Sequence, residues 1–151
     1  MAASCPRIAL WFWGAPDMTE LKPVPVSNAD TQVFWDACNE DRLLFQICKD
    51  CGHTQFYPRA ICTACESLNL DWRDSAKRGI VHTYTLVQRA PSPAFKADAP
   101  YILALIDLEE GFRMMMNILD CPDNAASIGM KVRIVFENRE GQNVPQATPD
   151  I

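Results

Sequence analysis

Four of the seven cysteines occur as two Cys-x-x-Cys pairs, Cys48 with Cys51 and Cys62 with Cys65, and ten residues separate the pairs. Two such pairs this close together can supply four thiolates to one tetrahedral metal ion. Four sulfur ligands leave no open coordination position, so the spacing predicts a structural zinc site that does no chemistry of its own. Two disulfides and an iron site of the rubredoxin kind are the alternatives.

The residue after each pair bears on the shape of the metal-binding turns. Gly52 follows Cys51, where a tight turn needs a residue that accepts a positive φ, as glycine does without steric cost. Glu66 takes the equivalent place after Cys65. We therefore expect the second turn to be less ideal than the first.

Side chains with catalytic potential are few. The two histidines are His53, inside the metal-binding segment, and His82, in a stretch of β-forming residues, and neither lies in a recognisable nucleophile arrangement. Cys121 precedes a proline, and no motif there indicates an activated thiolate with an oxyanion hole. The sequence predicts no catalytic residue, and we expect the chain to be inactive on its own.

Composition and charge set the broad class. The chain has 151 residues and a formal net charge of −5, which fits one domain or two small ones and argues against a general nucleic-acid binder. Residues 71–100 are locally basic and could attract a small phosphorylated ligand. The cysteines outside the two pairs, which favour a reducing cytoplasm, are Cys5, Cys38 and Cys121. No run of about 18 apolar residues is present, so no membrane span is predicted.

The N-terminal region is predicted to precede the folded core. Residues 1–26 form an apolar leader followed by an extended lead-in, because Pro23 and Pro25 exclude a helix interior. We interpret residues 1–17 as an extension or a start-site artefact, since Met18 opens a more ordinary N-terminus.

Residues 27–42 are predicted to form one amphipathic helix with Ser27 or Asn28 as the N-cap. Its apolar stripe includes Phe34 and Trp35. These two side chains either pack on their own domain or dock onto a partner protein, and they are our candidates for partner binding.

The remainder is predicted to be a ribbon followed by a barrel. Residues 43–72 form the four-cysteine zinc ribbon, which is too short and too poor in apolar periodicity to fold without its metal. Residues 73–147 are typical of β structure, with short turns and one long connection that contains prolines. The predicted fold class is mainly β: a short N-terminal helix, a four-cysteine zinc ribbon and a five-stranded Greek-key barrel of the OB type.

Short motifs follow one another in a recognisable order along the chain. They are Phe34-Trp35, Cys48-x-x-Cys51-Gly52, Phe56-Tyr57-Pro58-Arg59, Cys62-x-x-Cys65, Gly79-Ile80-Val81, Tyr84-Thr85, Ala99-Pro100-Tyr101, Leu108-Glu109-Glu110-Gly111 and Ile128-Gly129-Met130-Lys131-Val132. In this order they resemble the acyl-CoA-associated family with a rubredoxin-like zinc ribbon and an OB-fold. The likeness runs from about Val24 to Pro145. It departs from the family at Thr63, where proline is usual, and at Glu66, where glycine is usual.

The resemblance implies a non-catalytic subunit that forms a hetero-oligomer with a thiolase, a thiolase-like aldolase or an acyl-CoA hydratase in the degradation of CoA thioesters. The zinc ribbon and the N-terminal helix would contact the partner enzyme. The barrel would help to form the acyl-CoA channel, so that a CoA thioester would be a ligand shared within the complex.

The long loop after the first barrel strand carries the candidate CoA-binding residues Arg89, Phe95 and Lys96. The pyrophosphate and the ribose phosphate of coenzyme A call for arginine or lysine at fixed points, and the pantetheine arm suits an apolar slot. An ordinary mobile surface loop is the alternative interpretation of this segment.

Two other functional classes stay open from the sequence. Zinc ribbons and OB barrels bind single-stranded nucleic acid in other proteins, although the acidic balance argues against this class. An electron carrier with iron in the four-cysteine site is the other, and the colour of the purified protein would separate it from a zinc protein.

Overall fold

The computed structural model describes residues 21–122 and 125–150, so most of the predicted leader lies outside the described residues. One helix is followed by three strands of a small sheet and then by five longer strands. The elements are α1 Gln32–Asn39, β1 Leu44–Cys48, β2 Thr54–Gln55, β3 Leu70–Asp74, β4 Arg78–Val87, β5 Tyr101–Leu108, β6 Arg113–Ile118, β7 Lys131–Arg139 and β8 Gln142–Pro149. A short 3-10 helix, Pro93–Asp98, lies in the long loop between β4 and β5.

The helix begins later in the chain than the sequence pattern predicts. Asn28, one of the two expected caps, forms a turn ahead of it, because its Oδ1 accepts the backbone N–H groups of Asp30 at 3.1 Å and Thr31 at 3.0 Å. The helix then covers Gln32–Asn39. It ends where Asp41 adopts a left-handed conformation with φ 57°. The local hydrogen bonds of the asparagine therefore take the place of the first predicted helical turn.

The small sheet has the order β2-β1-β3, and all of its pairs are antiparallel. Its central strand β1 pairs with β3 along its whole length, from Leu44 opposite Asp74 to Cys48 opposite Leu70. The pairing brings the end of the metal-binding segment back beside its start. The sheet thus joins the two ends of the ribbon, and β3 leads directly into the first strand of the barrel.

The five remaining strands form a closed barrel in the order β4-β5-β6-β8-β7, with β7 returning to pair with β4. All contacts between neighbours are antiparallel except that of β6 with β8, which is parallel and is recorded at Ile118 opposite Ala147. This confirms the predicted fold class, a four-cysteine ribbon followed by a five-stranded barrel of the OB type.

Helix, ribbon and barrel share one hydrophobic core. The buried apolar side chains include Phe34 and Trp35 of the helix, Phe45 of the ribbon sheet, and inward-facing residues of the barrel such as Ile106 and Val132. Because strand side chains alternate between two faces, every second residue of β5 enters this core. Among the described residues, the helices are all short, and none has the length and apolar character that crossing a membrane requires.

Candidate functional site

The four paired cysteines converge on one point at the end of the ribbon. Their Sγ atoms all lie within 4.8 Å of one another. Cys48 and Cys65 are separated by 3.6 Å between sulfurs, and Cys51 and Cys62 by 3.7 Å. A tetrahedral ion with metal–sulfur bonds of about 2.3 Å places its ligands roughly 3.8 Å apart. The four sulfur donors and these two distances therefore fit a zinc ion.

Two similar turns present these sulfurs. In the first, the backbone N–H of Gly52 donates to the carbonyl of Cys48 at 2.8 Å, and in the second Glu66 donates to Cys62 at 3.0 Å. Both residues adopt left-handed conformations, with φ 73° at Gly52 and φ 61° at Glu66. A residue with a Cβ atom is disfavoured at such φ by about 1 kcal/mol. Glu66 in the second turn therefore has a steric cost that Gly52 in the first turn avoids.

The protonation of the cysteines depends on their close approach. Backbone amides, foremost that of Cys51, lower the pKa of Cys48 to about 7. At Cys65 the amide of Ser67 also favours the thiolate, but the neighbouring sulfurs, Cys51 first, outweigh it and raise the pKa to about 12. Four thiolates this close repel one another, so a bound cation is what allows all of them to ionise.

Hydrogen bonds outside the sulfur cluster fasten the two turns to each other. Asp50, between the first two cysteines, accepts from the hydroxyl of Ser67 and, at 2.8 Å, from the amide of Asn69. These donors, Ser67 first, hold the pKa of Asp50 below its usual value. The carboxylate stays charged at neutral pH and links the first turn to the chain that leaves the second.

Two buried glutamines beneath the turns escaped the sequence analysis. Gln55 donates to the side-chain oxygen of Gln46 at 2.8 Å, and that oxygen also accepts the backbone N–H of Arg59 at 2.9 Å. Gln55 accepts from the backbone of Thr63 at 2.9 Å. Buried amides with satisfied partners fix a unique arrangement of the loop. The apolar neighbours of Gln46 in β1 and Phe56 after Gln55 are the sequence signals that indicate burial.

Aromatic rings join the ribbon to the barrel. Phe112, at the start of the β6 hairpin arm, lies 5.2 Å from Phe45 and 5.4 Å from Phe56 between ring centroids. Phe56 in turn lies 5.3 Å from Phe34 of the helix. Phe34 and Trp35 are 1% and 9% exposed, so the structure places both candidate partner-binding residues in the core of their own chain.

The candidate CoA-binding residues divide into two groups. Arg89 and Lys96 are exposed and line the same cleft, of about 480 Å³, together with the proline-containing part of the loop. Phe95 points elsewhere, with its ring 5.7 Å from the guanidinium of Arg139, next to a recess bordered by Tyr101. The structure therefore brings the two basic residues together and separates the aromatic one from them.

The residues considered as catalysts lie apart from one another. His82 sits where the register of β4 with β5 shifts, and its Nδ1 lies 3.0 Å from Asp107 and 2.9 Å from Arg113. Arg113 hydrogen-bonds Asp107 and holds the pKa of that carboxyl below its usual value. Burial raises the pKa of the Cys121 thiol, which is the opposite of what an activated nucleophile needs.

Two family models match consecutive parts of the chain. Residues 35–71 match the ChsH2 rubredoxin-like zinc ribbon domain, and residues 72–137 match the ChsH2 C-terminal OB-fold domain. A curated protein of Pyrococcus furiosus, described as a DUF35 domain-containing scaffold protein, is 35% identical over 115 residues, which cover 76% of this chain and 79% of that protein. The chain belongs to the DUF35 family.

Relatives of this DUF35 chain include parts of larger enzymes. A probable enoyl-CoA hydratase alpha subunit of Thermomonospora curvata is 33% identical over 74% of this chain, which spans 34% of the length of that protein. A solved structure described as an Ltp2-ChsH2(DUF35) aldolase has a TM-score of 0.77 and 29% identity, and the match covers 85% of this chain and 100% of that one. The zinc ribbon and the OB barrel are therefore shared family features.

Proposed function

We propose that this DUF35 chain is a non-catalytic scaffold subunit of an acyl-CoA-processing enzyme and that it contributes to binding the CoA thioester. The observation that carries the proposal is the similarity to a complete chain of the Ltp2-ChsH2(DUF35) aldolase structure. A relative named as a hydratase alpha subunit supports the same class of partner. We therefore expect the partner enzyme to be an aldolase or a hydratase, with a thiolase as the remaining alternative.

The proposed role of the metal is structural. Cys48, Cys51, Cys62 and Cys65 would hold zinc, which cross-links the two turns of the ribbon when it is bound. Support comes from the sulfur–sulfur distances of 3.6 and 3.7 Å, which suit a closed four-sulfur site. Metal analysis of the purified protein distinguishes colourless zinc protein from the red iron protein of the alternative hypothesis.

Exposed apolar side chains on both modules support the scaffold role. Leu68 beside the second metal-binding turn is 78% exposed, and Met115 on the outer face of β6 is 67% exposed. Ile61 and Ile80 are exposed as well. Since Phe34 and Trp35 lie in the core, we propose that partner contact comes from such surface residues and not from the two aromatic rings of the helix.

The proposed CoA site is the cleft that Arg89 and Lys96 share. Two cationic side chains on one loop can pair with the pyrophosphate or the ribose phosphate of a CoA thioester. The partner enzyme would supply the reacting groups, because the four ribbon cysteines would be occupied by the metal and burial raises the pKa of the Cys121 thiol.

The test is affinity capture of the tagged chain, expressed at natural level in its own host, followed by mass spectrometry and an activity assay. We expect a stoichiometric complex with an enzyme that turns over a CoA thioester. Recovery of the chain as a monomer with no affinity for CoA thioesters would overturn the proposal.

A further inference from the structure

Glu137 on β7 is the centre of a charge network at the end of the barrel that carries the long loop. Its Oε1 accepts from Nζ of Lys22 at 2.8 Å, and its Oε2 accepts from Arg139 at 2.7 Å and from Gln146 at 3.1 Å. One partly buried carboxylate therefore has three different side chains as donors. No role in zinc binding explains it, since the ribbon lies at the other end of β5.

Two of these donors also hold the loop of residues 88–100. Lys22 forms a second ion pair, at 2.8 Å, with Asp98 at the end of the 3-10 helix. Arg139 lies over the ring of Phe95 at 5.7 Å in a cation–π contact. The loop is thus held at two points, and the cation at each point is oriented by the same carboxylate.

The third donor, Gln146, connects the network to the pairing of β6 with β8. Gln146 is 3% exposed, and its side-chain oxygen accepts the backbone N–H of Asn117 at 2.9 Å. Its amide group donates to Glu137. The carboxylate therefore has a fixed position relative to the barrel wall and is not a freely rotating surface group.

We propose that Glu137 is a positioning residue that clamps the 88–100 loop onto the barrel and so determines where Arg89 and Lys96 meet the phosphates of a CoA thioester. The identity of the ligand rests on the proposed function, whereas the clamp stands on the contacts of Glu137 alone. Lys96 lies within the clamped 3-10 helix and Arg89 precedes that helix on the same loop, so a shift of this segment moves both of them.

Glu137 and Lys22 keep their charges at neutral pH. Partial burial disfavours the charged form of Glu137, but the donors Lys22 and Arg139 outweigh it and keep the pKa of the carboxyl below its usual value. Burial also works against the ammonium of Lys22, yet Asp98 and Glu137 outweigh it and raise the pKa of Lys22. Glu137 and Lys22 are therefore both ionised near pH 7.

The test compares Glu137→Gln with Glu140→Gln by hydrogen exchange in the full chain. Both changes remove one negative charge from the same end of the barrel, but Glu140 is an exposed residue of the β7–β8 turn. We expect amides of residues 88–100 to exchange about five- to tenfold faster in Glu137→Gln, because two loop contacts lose their anchor. Glu140→Gln should exchange like the wild type, and zinc content should not change in either variant.

A second readout is the dissociation constant for a CoA thioester, measured on the complex with the partner enzyme. We expect a loss of about three- to tenfold in Glu137→Gln with unchanged affinity for the partner, and values closer to wild type in Glu137→Asp, which keeps the charge. If Glu137→Gln proves unstable, Asp98→Asn, which removes only the Lys22 contact, should give an intermediate acceleration of loop exchange.

The outcomes separate the two proposals. Unchanged loop exchange in both Glu137→Gln and Asp98→Asn would overturn the clamp, whatever the protein binds. Faster loop exchange with wild-type CoA affinity would overturn the positioning role. A wild-type complex without CoA affinity would defeat the proposed ligand site, and the exchange difference between Glu137→Gln and Glu140→Gln would still report on the clamp.

Discussion

Two of the four ribbon cysteines are almost completely inaccessible to solvent. Cys48 is 1% exposed and Cys62 is 0% exposed. We expect Cys48→Ser or Cys62→Ser to abolish stoichiometric zinc and to unfold the ribbon, because structural zinc contributes on the order of 10 kcal/mol to such small modules. Metal analysis together with circular dichroism checks this.

The matched control for the cysteine variants is Cys121→Ser, since Cys121 lies outside the ribbon and, among the described residues, its sulfur hydrogen-bonds the neighbouring Pro122 carbonyl. This variant should keep full zinc content. Zinc retained in a folded Cys62→Ser protein would show that the sulfur cluster does not hold the metal.

The exposed basic pair of the long loop supports a prediction about ligand affinity. We expect Arg89→Ala combined with Lys96→Ala to raise the Michaelis constant of the complex for its CoA thioester by about tenfold, because each exposed charge pair contributes up to about 1 kcal/mol and a tenfold change corresponds to about 1.4 kcal/mol. Complex assembly should not change. Steady-state kinetics and size-exclusion chromatography provide the two measurements.

Lys131→Ala combined with Arg133→Ala is the control for the loop variant. It removes the same charge from exposed positions on β7. A Michaelis constant that responds equally to both double variants would indicate a general charge effect, and one that responds to neither would remove Arg89 and Lys96 from the site.

At the scale of single elements, β4 and β5 approach each other too closely for a side chain at Gly79. A Cβ atom there would lie 2.5 Å from the carbonyl oxygen of Asp107 and 2.8 Å from Cγ2 of Ile106. We expect Gly79→Ala to destabilise the protein by about 1–3 kcal/mol, as other overpacked positions do. Thr85→Ala, at an exposed position of the same strand, should cost far less in urea denaturation. Equal stability of the two variants would contradict the close packing of these strands.

The hairpin arm that carries Phe112 connects the barrel to the ribbon. Phe112→Ala removes the ring that contacts both Phe45 and Phe56, and core truncations of this kind cost about 3–5 kcal/mol. We expect faster loss of zinc to a competing chelator as well, because the ribbon loses its support. Ile118→Ala, buried at the opposite end of β6, should destabilise the barrel without this change in zinc release. Equal zinc release from the two variants would show that the rings do not couple the modules.

The elements that the sequence predicts well are those with local signals. The cysteine spacing and the alternation of apolar residues lie within short segments, and both the ribbon and the five-stranded barrel follow from them. The helix is shorter than predicted because Asn28 forms a turn of its own, a competition that periodicity does not reveal. The sequence also leaves open whether Phe34 and Trp35 pack on their own domain or on a partner protein, because an apolar stripe does not indicate which surface covers it.

Contacts between distant segments could not be predicted in this way. The ion pair of Lys22 with Glu137 joins residues 115 positions apart, and the charges along the chain give no indication of such a pair. Gln46 and Gln55 look like surface residues, and their burial depends on amide partners that meet only in the folded ribbon. The sequence thus predicts the ribbon and the barrel, whereas the contacts that hold these modules and the long loop in place are seen only in the structure.

The described part of the chain as a whole is one connected body, which supports the proposed scaffold role. A shared core joins helix, ribbon and barrel, the zinc ribbon cross-links one end, and the Glu137 network holds the loop at the other end. Such a body is suited to orienting a substrate for another subunit. We therefore propose that catalysis belongs to the complex and not to this chain.

The most direct test is the turnover of a CoA thioester by the separated and recombined subunits of the purified complex. We expect no turnover by this chain alone and a higher kcat/KM for the partner enzyme when the chain is added back. Turnover by the isolated chain, or a partner enzyme whose kcat/KM is the same with and without it, would show that the chain is not a non-catalytic scaffold.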